Sequence, residues 1–413
     1  KPVLPSPVAE SPEVNKRAHQ IWNDLNYEIP DRNYSILVMT NEGKSVLPCR
    51  MISPQHIPEI KDFSQLLAFV SMIPTNSTID NTKSHVYWCT SSEILKNNWG
   101  TNIEHALLFC NLLLGQKVDA YVVIGKDMIS GYNAYVLVVE DNPNYDHDRA
   151  IKAKKKKETL PDNKIHQFNR TLFNPTDGTI YQINSQYVTL IDVATVFNNK
   201  NIWFNHQSNQ IPVYNLDWDL TNTSKWTSFF DETFDFVDFD GIKQPEDLPV
   251  TEANEELVLP IRKKVSKIVK STVSNLRPGT KWAKTLKPFL RSLLDAKNKN
   301  QKESPDFDDG TFRDLLDRTK REFRDYRIVG SPFFVSYVYD EEANDDILQD
   351  EIYDEIKKRD LCNCKPAIIA SEEEDNDDEE DIVFSHCVEV RPFPNNIFAI
   401  WIFLVALHPT DGS

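Results

Sequence analysis

Residues 100–140 decide how this chain reads: Gly100-Thr101-Asn102-Ile103-Glu104-His105-Ala106-Leu107-Leu108-Phe109-Cys110-Asn111-Leu112-Leu113-Leu114-Gly115, then Asp119-Ala120-Tyr121-Val122-Val123-Ile124-Gly125, then Asn133-Ala134-Tyr135-Val136-Leu137-Val138-Val139-Glu140. The first block carries Ala106, Leu107, Phe109, Cys110, Leu113 and Leu114 at helical spacing, and Gly115 fits a C-terminal cap. It predicts a buried helix over 103–115. The next two blocks are near-continuous runs rich in Val and Tyr, short enough for buried strands. Helix, strand, strand in immediate succession predicts an α+β core: an antiparallel sheet packed on one central helix.

Upstream, residues 12–27 place Ala18, Ile21, Trp22 and Leu25 on one helical face. Ser35–Thr40 and Ser45–Met51 read as strands about the turn Asn41-Glu42-Gly43, Phe63–Ile73 as a compact helix, and His85–Cys89 as a strand. Ser91 or Ser92 is expected to cap a short helix over 93–97. Downstream, Lys154–Lys157 mark a polar surface insertion within 141–169. Pro175-Thr176-Asp177-Gly178 is a turn between strands 170–174 and 179–184. Further strands are expected at 188–196 and 201–206, and a short aromatic-rich helix at 224–230.

The character changes at 254–299, where 12 Lys or Arg stand against three acidic residues. Two amphipathic helices are expected, one with the stripe Leu257, Ile261, Val265, Ile268 and Leu276, the other with Trp282, Leu286 and Phe289-Leu290, broken by Pro278-Gly279. A third helix is expected near 311–327, a strand at 332–339, an acidic helix at 347–357, and closing strands at 383–391 and 397–407. This divides the chain into a linker and helix (1–30), a core (31–250), a basic helical insert (251–330) and C-terminal strands that complete the core (331–413), with an acidic loop at 371–381.

Composition limits the function classes. The chain has 413 residues, 40% of them hydrophobic and 11% aromatic, enough to bury real cores. No window offers the roughly 18 apolar residues of a membrane span. Pro2, Pro5, Pro7 and Pro12 read as a linker, from which a fragment of a longer polypeptide is expected. Six cysteines without regular spacing point to free thiols in a reducing, intracellular compartment. A net charge of −17 disfavours nucleic-acid binding. No cofactor is expected.

The order helix, strand, strand is the one a papain-like or transglutaminase-like cysteine-hydrolase core requires, with the nucleophile at the helix start and the base on a strand. Asn102, Asn133 and Asn174 stand where such a Cys-His-Asp triad would place its members. An amide has no thiolate and takes up no proton near neutral pH, so a pseudoenzyme is expected. The three amides are expected to form one hydrogen-bonded cluster. The competing reading is an active cysteine hydrolase or transferase using relocated residues, for example Cys89 with His206.

Several stretches together resemble the C-terminal region of the coiled-coil and C2 domain-containing scaffold proteins of the ciliary transition zone. They are Glu104–Asn111, Ala134–Leu137, Asn201-Ile202-Trp203-Phe204-Asn205-His206-Gln207, Ser224-Lys225-Trp226-Thr227-Ser228-Phe229-Phe230 and Arg391-Pro392-Phe393-Pro394-Asn395-Asn396-Ile397. The resemblance spans roughly residues 20–250 and 331–407, and a related centrosomal family shares the core. It implies a degenerate transglutaminase-like domain that serves assembly of the Meckel–Joubert ciliary gate and ciliogenesis. The implied partners are B9-domain and tectonic proteins at the transition zone and basal body, on the cytoplasmic side. It also implies a C2 domain upstream.

Two charged blocks are candidate partner surfaces: Arg262, Lys263, Lys264, Lys267 and Lys270, and the acidic run beginning Glu372, Glu373, Glu374 and Asp375. An anionic membrane surface or tubulin would suit the basic block. Cys362, Cys364, His386 and Cys387 are a weak zinc set, because Cys-x-Cys is tight and adjacent strand residues face opposite ways.

Overall fold

The computed structural model describes residues 10–75, 87–143, 168–248, 250–294, 326–341, 346–359 and 382–409, with isolated positions between 314 and 324. Cys362, Cys364, the acidic run from Glu372 to Asp381, almost all of the 141–169 insertion and most of the expected helix at 311–327 lie outside the described residues. The chain is mixed α and β with antiparallel sheets, and it divides into two units, 1–250 and 251–413.

The first unit opens with helix α1 (Pro12–Glu28), which Ser11 caps by accepting from Val14 N and which buries Val14, Ala18, Ile21 and Leu25. Strands β1 (Val38–Thr40) and β2 (Ser45–Val46) make a small hairpin. Its second arm is shorter than expected, because Pro48–Met51 turns into a 3-10 helix. Helix α2 (Phe63–Met72) follows, then strand β3 (Tyr87–Trp88), which pairs with β1. Helix α3 (Ser91–Asn97) starts earlier than expected, with Thr90 rather than a serine as its cap. Helix α4 (Asn102–Gly115) is the predicted central helix and is buried along nearly its whole length.

The turn after α4 corrects one expectation. Gly115 does not supply a left-handed cap: the positive φ falls on Lys117 at 63°. Glycine is needed at 115 because a Cβ there would lie 1.9 Å from the Gln55 carbonyl oxygen. Close approach, not backbone conformation, selects the residue.

Seven strands form the main sheet: β4 (Asp119–Asp127), β5 (Gly131–Asp141), β6 (Phe168–Asn174), β7 (Thr179–Gln182), β8 (Leu190–Phe197), β9 (Ile202–Asn205) and β10 (Trp226–Ser228). Their order is β10-β9-β8-β4-β5-β6-β7, antiparallel throughout. The helix expected at 224–230 is therefore a strand. Its seven residues are too few for helical periodicity to separate from alternation, and pairing with β9 decides. One sheet face meets the helices: Phe173 of β6 packs edge-on against Phe109 of α4 and Phe63 of α2, at 5.8 and 5.1 Å between ring centres. The other face buries Val123, Tyr135, Leu137 and Leu172 against Trp218 and Trp226. Each large side chain so buried contributes about 1.5–3 kcal/mol.

The second unit has its own sheet. Helix α5 (Val258–Leu276), strand β11 (Lys281–Trp282), a helical stretch at 287–294, strand β12 (Tyr326–Val338), helix α6 (Asp346–Lys358), strand β13 (Val383–Phe393) and strand β14 (Ile397–Pro409) follow in order. Trp282 opens no helix, and Tyr326 and Arg327 are strand. The sheet order is β11-β13-β14-β12. Strand β14 pairs along its length with β12 on one side and β13 on the other.

The expectation that 331–413 completes the first sheet is thus corrected. Strands β12, β13 and β14 satisfy one another's backbone groups, and helices of the same unit bury their faces. Ile261, Val265, Val269, Leu348, Ile352 and Ile356 cover one face. Leu286, Leu290, Leu293 and Leu294 cover the other, over Cys387, Phe403 and Val405. The basic segment is cover for this sheet rather than an insert in another domain.

Candidate functional site

The start of α4 is the place where a cysteine hydrolase would hold its nucleophile, and its chemistry is structural. Thr101 is the cap. Its hydroxyl accepts from Glu104 N at 3.4 Å, while Glu104 Oε2 accepts from Thr101 N at 2.7 Å. This reciprocal box satisfies two of the free amides at the helix start. The other Glu104 oxygen accepts from Cys89 N at 2.9 Å, tying the helix to the segment after β3. His105 is fully buried, its ring nitrogens 2.8 Å from Thr101 O and 2.9 Å from Ile73 O. Burial holds its pKa below the usual histidine value, opposed by those two carbonyls and by Glu104. The neutral ring has one N–H to donate to one of these carbonyls, and with both nitrogens facing backbone oxygens it presents neither to a substrate.

Asn133 and Asn174 are each spent in their own turn, and Asn102 lies on the helix. Asn102 is half-buried in the first turn of α4. Asn133 donates to Ser130 Oγ at 2.9 Å and accepts from Ala134 N at 2.8 Å. Asn174 donates to Asp177 Oδ2 at 3.0 Å and accepts from Thr176 N at 3.2 Å. Residues 133, 135 and 137 share a strand face, and 172 and 174 share the equivalent one, since Val136 is registered opposite Phe173. That face is opposite to the one α4 covers, where Phe173 meets Phe109. The expected amide cluster does not form. Short amide side chains bond their own turns more readily than they reach across a sheet.

Beside Asn133 lies a polar network that residue spacing did not reveal. Asp127 is 4% exposed and accepts from Ile129 N at 2.7 Å, Ser130 N at 2.9 Å and the Tyr135 hydroxyl at 2.6 Å. These donors hold its carboxyl below the ordinary aspartate value even though burial works the other way. The arrangement rigidifies the β4–β5 turn. Asn111, within the apolar run of α4, is a second missed residue. Its side chain donates to Ser91 Oγ at 2.9 Å and Gln55 Oε1 at 3.1 Å and accepts from Ser53 N at 3.0 Å, stapling the 53–55 loop and the start of α3 to the helix.

The thiols are poor nucleophiles, because attack needs a thiolate. Burial pushes the Cys49 thiol up to about 12. Burial and the Glu104 carboxylate push Cys89 up to about 12 as well. Cys110 is fully buried on α4, and burial raises it further. Cys387 is also raised, by burial first and Glu389 second. Cys89 and His206 are engaged by different partners: His206 Nδ1 lies 2.7 Å from Glu28 Oε2, and its Nε2 meets the Thr227 hydroxyl.

In the second unit the candidate basic residues divide. Arg262 donates to Glu389 Oε2 at 2.8 Å and is not available to a partner. Lys263 and Lys267 are exposed, Lys264 is half-buried, and the Lys270 ammonium lies 5.7 Å over the Trp282 ring. His386 and Cys387 point to opposite faces of β13. His386 Nε2 bonds Ser266 Oγ at 2.7 Å on the α5 side, while Cys387 packs with Leu286 and Leu290. Two neighbours on opposite faces cannot ligate one ion, and the other two members of the zinc set lie outside the described residues.

A mixed α/β fold with a buried helix start and no thiolate among the described cysteines is the setting for the comparisons with known proteins. A family model described as the CEP76 peptidase-like domain matches residues 86–229, which run from β3 to the end of the main sheet. Human protein CC2D2B is 25% identical over 410 residues, 96% of this chain and 24% of its own length. Coiled-coil and C2 domain-containing protein 2A of Drosophila melanogaster is 20% identical over 413 residues, 97% of this chain and 27% of its own length. Dynein regulatory complex subunit 7 of Xenopus tropicalis is 30% identical over 115 residues, 26% of this chain and 13% of its own length. The class is therefore peptidase-like in residues 86–229. Along nearly its whole length the chain is similar to two coiled-coil and C2 domain-containing relatives. It spans about a quarter of the length of those two relatives.

Proposed function

We propose that this chain is a non-catalytic assembly module, a degenerate transglutaminase-like core with a second sheet unit attached, acting in the ciliary transition zone. The observation that carries the non-catalytic reading is the start of α4. An amide, Asn102, occupies the first turn, the neighbouring Glu104 accepts from two backbone amides, and His105 is buried with both ring nitrogens facing backbone carbonyls. The raised Cys49, Cys89 and Cys110 thiols weigh against a relocated nucleophile.

The ciliary reading draws on the family. In this reading the chain works inside the cell, on the cytoplasmic side of the ciliary base, and supports gate assembly and ciliogenesis. Its partners are other transition-zone proteins of the B9-domain and tectonic type, in a Meckel–Joubert type complex. The α4 end serves as a rigid platform, since Thr101 and Glu104 cap one another and Glu104 also holds Cys89 N.

Affinity capture with this chain from ciliated cells, read by mass spectrometry, tests the proposal. Recovery of transition-zone components is expected, and recovery of none would overturn the ciliary part. Thiol-probe labelling of the native chain tests the non-catalytic part. Turnover abolished by replacing one cysteine would overturn it.

A further inference from the structure

The second unit holds its charge unevenly. Residues 258–294 contain ten Lys or Arg and no Asp or Glu, in a chain of net charge −17. Glu389 on β13, one of the carboxylates facing this stretch beside those of the acidic helix α6, already accepts from Arg262 at 2.8 Å and Arg291 at 2.7 Å. Apart from the half-buried Arg277, what remains is lysine. Lys263, Lys267 and Lys270 recur at i, i+4 and i+7 on α5, so they share one face, and all three are exposed. The reverse of the helix is fixed in the core through Ile261, Val265, Val269 and Val273. Lys284 and Lys287 extend the exposed set past the turn. None of these five lysines forms an ion pair among the described residues. Lys270 and Lys287 both act on His386, so the fields of helix and turn overlap.

We propose that the lysine face of α5 and the turn after it docks on an anionic phospholipid leaflet. The residue type decides between partners. Arginine's planar fork suits individual carboxylates held bidentately, and here Arg262 and Arg291 are consumed by Glu389. Lysine is a point charge on a flexible stem, suited to a diffuse array of phosphates that move laterally. The apolar stripe of α5 is committed to the sheet, so the contact is peripheral, through charges and without insertion. The acidic remainder of the chain is repelled by the same leaflet, and docking is therefore oriented. The proposal rests on α5 and not on the amides of α4, so either can fail alone.

Flotation of the whole chain with phosphatidylcholine vesicles, with and without phosphatidylserine, reads the partition. Binding is expected only to the anionic vesicles, falling steeply with added salt. Each lysine near such a leaflet contributes roughly a factor of five, so the triple variant Lys263→Gln, Lys267→Gln, Lys270→Gln should lose about a hundredfold. The corresponding triple Lys→Arg variant keeps the charge and should keep the binding, which controls for folding. The proposal is overturned by absence of partition, by partition independent of phosphatidylserine, by an unchanged Gln variant, or by loss of binding in the Arg variant. Capture of a polyglutamate peptide without vesicle binding would overturn it in favour of an acidic polypeptide.

Discussion

In the first unit two paired arginines are buried, while a third, Arg17 against Asp231, is 20% exposed. The Arg50 side chain is 4% exposed against Glu10, and that of Arg32 is 1% exposed against Asp192. In the second unit the arginines that meet Glu389 are at the rim, with Arg262 29% and Arg291 46% exposed. The difference follows the length of the elements. Residues 29–60 of the first unit have only five residues of strand in β1 and β2 and a single 3-10 turn, so backbone pairing alone cannot place them. Glu10 accepts from Leu47 N at 3.0 Å as well as from Arg50, and Arg32 donates to Asn205 O at 2.7 Å as well as to Asp192. Buried charges here position loops. The second unit has 13-residue strands paired end to end and needs no such ties.

The largest effect should come from breaking a buried tie. Glu10→Ala leaves the Arg50 guanidinium among Phe230, Phe236 and Phe239 without its carboxylate. A loss of about 3–5 kcal/mol is expected in urea denaturation. Replacing Arg50 by Met in the same background should recover part of it. A single-variant loss below about 1 kcal/mol would abolish the contrast between the units. Next comes the apolar side. Ile352 is fully buried on α6, and Ile352→Ala should cost about 2–5 kcal/mol, a transfer loss plus a cavity. Hydrogen exchange should show the loss at the β13 and β14 amides. No change there would mean that apolar packing does not hold the second sheet.

The third effect depends on pH. Burial, then Lys270 and Lys287, lower the His386 pKa to about 4. The unfolded chain titrates this histidine near 6.5, so between about pH 4 and 6.5 the unfolded state binds more protons. Stability is fully present above about 6.5 and is lost as pH falls toward 4, by on the order of 3 kcal/mol. His105 adds a dependence of the same sign from the first unit. The readout is therefore the difference between the native chain and His386→Gln, which should flatten the slope. Equal slopes would mean that His386 is not buried in its neutral form.

How much of this was legible depended on whether residue order or spatial partner carried the information. Helix α4 and strands β4 and β5 follow from apolar spacing alone, because their neighbours in space are also neighbours in sequence. Strands β13 and β14 were visible as strands, yet their sheet was not, since alternation says which residues are buried but not against what. Gly115 was noticed for a reason that proved secondary, because the approach of Gln55 comes from 60 residues away. The amide positions were seen, but their separate bonding depends on strand faces set by register. Asn111 carries no pattern because it is a single polar residue inside an apolar run, and Asp127 carries none because its partner Tyr135 is set by strand register.

The smallest effect tests the rim of the second unit. Arg291 is half-exposed, and its Nε lies 2.7 Å from Glu389 Oε1. The contact raises the Arg291 pKa, through the Glu389 hydrogen bond first. Its energetic share should nonetheless be small. Water screens the pair, a long side chain must be held still to keep it, and Arg262 continues to neutralise Glu389 when Arg291 is gone. Arg291→Ala should therefore cost about 0.2–1 kcal/mol and lose its effect as salt is raised. A double-mutant cycle with Glu389→Gln measures the pair directly. A coupling above about 2 kcal/mol would place this contact with the buried ties of the first unit and erase the distinction between them.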